Sequence, residues 1–86
     1  DRSHLRDQAV FELDLRGNAD AALQYIAQSW AYQRDPVDAR IYLRAALAAG
    51  RPQAARAVLQ WLESTGVKDL RLNSAIADLR RLAPSR

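Results

Sequence analysis

At 86 residues with no Cys, the chain has room for one small domain and cannot close a disulfide or a thiolate metal site. Apolar residues make up 49% and charged residues 27%, a globular rather than a disordered balance, and no apolar run is long enough to span a membrane. The net charge of +3 invites a nucleic-acid partner, but the 13 Lys and Arg are interleaved with 10 Asp and Glu, and only Arg80, Arg81 and Arg86 gather. Phosphate binding asks for a concentrated basic patch, so nucleic acid is not expected as a partner.

In chain order, the first predicted helix covers residues 3–16. Leu5, Ala9 and Leu13 recur at helical spacing, with Val10 beside them, and Ser3 stands where a cap would. Phe11, Leu13 and Leu15 also alternate with Glu12 and Asp14 as in a short strand, but the chain offers no second strand to pair with. As a helix, this segment keeps a second apolar edge at Phe11 and Leu15. Gly17-Asn18 is a turn, with Asn18 as cap and Asp20 in the first turn of a helix over 19–33. Ala22, Leu23, Ile26, Ala27 and Trp30 share one side of that helix, with Tyr25 and Tyr32 on a flank.

The third helix, 36–49, has the strongest local signals. Asp35 caps it, Pro36 fits its first position, Asp38 meets the dipole, and Gly50 supplies the left-handed residue that ends it. Apart from Asp38 and the pair Arg40/Arg44 it is apolar nearly all round, which predicts a middle helix packed on several sides. Pro52 restarts the chain into a fourth helix, 52–64, with Ala54, Ala55, Val58, Leu59, Trp61 and Leu62 on one side, closed by Gly66. A fifth helix over 69–82 carries the stripe Leu72, Ala75, Ile76, Leu79 and Leu82, and Pro84 stops it.

Helix, Gly, helix therefore occurs twice. GNADAALQYI from Gly17 aligns with GRPQAARAVL from Gly50, 33 residues on, and Asp38-Ala-Arg-Ile aligns with Asp69-Leu-Arg-Leu at 31. Such a period with two helices per unit is the mark of a helical solenoid. The pattern resembles the tetratricopeptide repeat. Ala22 and Ala55 stand for that family's small residue early in the second helix, Gly17 and Gly50 for its turn Gly, and Pro36 for its terminal Pro, two residues late. The family's Trp, Leu-Gly and Tyr are replaced by Ala9, Val10 and Leu13 in one unit and by Tyr42, Leu43 and Ala46 in the next. The expected fold is all-α: about five antiparallel helices stacked as a short right-handed solenoid of two and a half units. The chain starts at Asp1 and holds no Met, so it is expected to be the C-terminal part of a longer protein.

No constellation in the sequence supports catalysis or calls for a cofactor or metal. His4 has no ligating neighbour, and the three Gly are turn formers rather than a phosphate loop. Asp7, Glu12 and Asp14 scatter around their helix and read as solvated carboxylates. Trp30 and Trp61, 31 residues apart near the ends of second helices, read as packing between successive units. The resemblance implies a concave groove lined by first helices, where a protein or peptide partner would meet Asp7, Phe11 and Asp14, then Arg40, Arg44 and Leu47, then Asn73 and Arg80. Two Arg four residues apart could fork onto a carboxylate; the plainer expectation is that Arg40 pairs within the chain with Asp7 or Asn73, or that both Arg only keep the middle helix soluble. The family's carboxylate clamp does not carry over, because its Asn is absent. The expected function is a non-catalytic interaction or scaffold module. The alternative is a purely structural C-terminal capping segment of a longer solenoid, with binding elsewhere in the parent, whose isolated fragment would self-associate, as a homodimer, at the Phe11 and Leu15 edge.

Overall fold

The computed structural model describes residues 2–66, 74, 76–78 and 81, and every regular element among them is helical. Helix α1 is Arg2–Asp14, α2 is Ala19–Tyr32, α3 is Pro36–Ala48, and a 3-10 turn at Pro52–Ala55 leads directly into α4, Arg56–Thr65. The fifth expected helix falls largely outside the described residues. Ser74, 76–78 and Arg81 are helical, and Ile76 packs against the core.

Local chemistry sets most boundaries. The Asn18 side chain accepts from the Ala21 N–H at 3.2 Å, and Asp35 accepts from the Asp38 N–H at 2.8 Å, so both expected caps satisfy an otherwise free donor. Helix α3 ends in a Schellman arrangement. The Arg51 N–H bonds the Ala46 carbonyl at 2.9 Å and the Gly50 N–H bonds that of Leu47 at 3.1 Å, with Gly50 at φ 68°. Two expectations need correction. Ser3 lies inside α1 rather than ahead of it. The run from Pro52 opens as a 3-10 turn, not as one regular helix. Arg51, at its head, has no acceptor side chain to cap it, and shorter-range bonds such as Ala54 N–H to Arg51 O at 3.0 Å take up the free groups.

Helix α2 packs along both α1 and α3, and α3 also meets the 3-10 turn and α4. The core is contributed by every helix: Ala9 from α1, Ala22, Ile26 and Trp30 from α2, Ile41, Tyr42 and Leu43 from α3, and Val58 and Leu62 from α4. The middle-helix expectation for α3 holds, since Ala39, Ala45 and Ala46 are buried on further sides of it. Small Ala side chains let neighbouring helices approach, and each large aliphatic fully buried here, such as Ile26 or Leu43, stabilises the fold by about 1.5–3 kcal/mol. Trp30 stands at the centre of an aromatic seam. Its ring meets Tyr42 edge-on at 5.9 Å and Trp61 edge-on at 5.3 Å, which ties α2 to α3 and α4, and the core-packing expectation for the two Trp holds.

Candidate functional site

The surface where the sequence placed a partner groove is built by α1 and α3, and two polar links fix their relation. Near the helix starts, Arg6 Nε donates to Asp38 Oδ1 at 2.5 Å and its terminal nitrogen donates to Asp35 Oδ2 at 2.9 Å. Near the helix ends, Arg44 donates to Asp14 Oδ1 at 2.6 Å. Start meets start and end meets end, so α1 and α3 run in the same direction. The pairings lie 29, 30 and 32 residues apart, a register that puts Phe11 level with Arg40 and Ile41.

The residues expected in the groove divide into three groups. Phe11, 44% exposed, lies on the α1 surface with Asp7, which is also exposed. Leu15, at 75%, extends that apolar edge beyond the end of the helix. Arg40 and Leu47 are half-buried on α3, and Arg40 makes no ion pair among the described residues, neither with Asp7 nor with any other acid. Arg44 is not a free fork, because its guanidinium already holds Asp14. Asn73 and Arg80 lie outside the described residues, while Arg81 pairs with Asp78.

The solvated-carboxylate reading holds for Asp7 and for Asp14, which stays 45% exposed while it pairs with Arg44, and fails for Glu12. Glu12 is buried, with Oε1 lacking a hydrogen bond and Arg16 Nε 3.4 Å away. Helix α1 packs along α2 on the side that carries Ala9 and Glu12, and this covers a carboxyl that spacing alone placed at random.

A polar junction at the helix starts went unread in the sequence. Asp38 is 0% exposed, yet both its oxygens are engaged, Oδ1 by Arg6 and Oδ2 by the Ser29 hydroxyl at 2.7 Å. Asp35 receives Arg6, the Gln33 amide at 3.0 Å and the Asp38 N–H. One Arg and one buried carboxylate thus clamp α1, α2 and α3 together. Burial alone would lower the Arg6 guanidinium, but the hydrogen bond and charge of Asp38, then those of Asp35, outweigh it and hold the group above its ordinary value. A signal was available, since Ser29 falls on the Ala22–Ile26 stripe of α2 and Asp38 on the Tyr42–Ala45 side of α3. A polar residue inside an apolar stripe must find a partner when buried.

Among the described residues no three His, Asp or Glu gather as a metal site, and no helix is long and apolar enough to cross a membrane. Comparison with protein-family models, with curated proteins and with solved structures finds no significant match.

Proposed function

We propose that the chain is a non-catalytic helical-repeat module of the tetratricopeptide-like kind, whose α1–α3 face receives a segment of a partner protein. The observation that carries this reading is the parallel α1–α3 pair with α2 packed against both. That is the relation first helices bear to one another in a stacked hairpin array. The face so formed is amphipathic. Phe11 and the exposed Val37 offer apolar area, and Asp7 and Arg40 offer charges without ion-pair partners among the described residues. Affinity-capture mass spectrometry with the wild-type chain and with Phe11→Ser/Arg40→Glu, run in parallel, tests it. Specific proteins retained by the wild type and lost from the variant, at unchanged melting temperature, are the expected result. Identical captures would overturn the assignment of this face.

The exposure of Leu15 beside Phe11 favours a second reading, a structural segment that self-associates along that edge. Light scattering across a concentration series distinguishes the two. Mass that doubles with concentration in the wild type, but not in Leu15→Glu, supports self-association, and a constant monomer mass removes it.

A further inference from the structure

On α2 and α4, the helices that do not build the α1–α3 face, an open cleft of about 380 Å³ is lined by Trp30, Arg34, Ala57, Gln60, Trp61 and Ser64. The sequence pattern explains its composition. Trp30 lies in the last turn of α2 and Arg34 just past its end, in the link to α3, and Ala57, Gln60, Trp61 and Ser64 recur at helical spacing along α4. Ala57 is the residue that leaves the space open, because a larger side chain at this exposed position would occupy it. The volume is at the lower end of the roughly 300–1,000 Å³ common for small-ligand clefts.

Three features give the cleft a definite chemistry. The half-buried Trp61 supplies the apolar surface of the cleft, backed edge-on at 5.3 Å by the nearly enclosed Trp30, and an aromatic face of this kind favours another flat ring in offset or edge contact. Arg34 is exposed and makes no ion pair among the described residues, whereas Arg6, Arg16, Arg44 and Arg51 each hold a carboxylate. The Gln60 amide adds a further donor. The Ser64 hydroxyl donates to the Trp61 carbonyl at 3.0 Å, which leaves its lone pairs to accept.

From this we propose that the cleft binds a small aromatic monocarboxylate, with its ring against Trp61 and its carboxylate on Arg34. A single guanidinium with neutral donors around it matches one negative charge, and its planar fork matches the two oxygens of a carboxylate. A phosphate monoester, with nearly two charges, would leave one of them uncompensated.

Phenylacetate is the probe, with phenylacetamide as its uncharged counterpart, followed in proton–nitrogen correlation spectra of the whole chain. The chain has two Trp, so two indole N–H signals report directly on the cleft. Expected is a saturable shift of both indole signals with phenylacetate, at a Kd of about millimolar for so small a ligand. Phenylacetamide should bind about tenfold more weakly, the scale of one charge-assisted hydrogen bond. Arg34→Gln, at a solvent-exposed site, should abolish the difference between the two probes, and Ala57→Leu should abolish both titrations while leaving the remaining spectrum in place. No saturable indole shift in the wild type overturns the proposal. Equal binding of the two probes by the wild type, or an undiminished preference for phenylacetate in Arg34→Gln, overturns the assignment of the carboxylate to Arg34.

Discussion

The two seams that hold α3 in place are made of different materials. Toward α1, α3 is held by charge: Asp38 and Asp35 on Arg6 at one end, and Arg44 on Asp14 at the other. Toward α2 it is held by the aromatic seam, with Tyr42 against Trp30, and Trp30 in turn meets Trp61 of α4. Burial of rings is non-directional and scales with area, so the aromatic seam supplies most of the free energy. Ion pairs offset their own desolvation and contribute less, but they hold only in one register. The charged seam therefore sets how α1 lies against α3, and the aromatic seam sets how firmly the stack holds.

The largest expected effect tests the aromatic side. Trp30→Ala should cost about 3–5 kcal/mol in urea unfolding, because the ring is nearly enclosed and contacts two others. A loss below about 1 kcal/mol would show that the seam is loosely packed. Next comes the buried carboxylate. Asp38→Ala leaves the buried Ser29 hydroxyl without its acceptor and Arg6 with Asp35 alone, and should cost about 2 kcal/mol, below the range for breaking a buried pair because Arg6 keeps one carboxylate and is one-third exposed. The comparison sharpens if a double-mutant cycle on Arg6 and Asp38 gives more coupling than one on Arg44 and Asp14. The latter pair is nearly half exposed and should yield under about 1 kcal/mol, fading in high salt. Equal couplings would mean that burial does not distinguish the two links.

Between these lies a backbone effect common to both seams. Gly50→Ala forces a Cβ into the left-handed conformation at the corner between α3 and the 3-10 turn, although the space around it is empty. The cost should be about 1–2 kcal/mol from conformation alone, read as a lower midpoint with an unchanged urea slope.

The smallest effect concerns pH. Burial pushes the Tyr42 hydroxyl above its ordinary value of 10.0, so the folded chain holds that proton more tightly than the unfolded chain does. The contribution is fully present below pH 10.0 and is lost as pH rises through the higher folded value. Tyr42→Phe should flatten the alkaline fall in stability, and an unchanged alkaline limb would show that the hydroxyl ionises without strain on the fold.

The sequence by itself determined the helices, because capping and stop signals are local. Asn18, Asp35, Gly50 and Gly66 each act on backbone groups within a few residues, and each does so in the structure. It also determined which helix is central, since an apolar circumference has to be covered whatever covers it. Only the tertiary structure decided the fate of the charges. Arg6 and Asp38 are 32 residues apart, and nothing local distinguishes an Asp that stays in water at the start of α3 from one sealed beneath Arg6 and Ser29. The same holds for Arg44, which looked free to grip a partner until α1 brought Asp14 to it, and for Glu12, covered as α1 packed along α2. A charge takes its role from the partner and the dielectric around it, and both arrive only when distant helices meet.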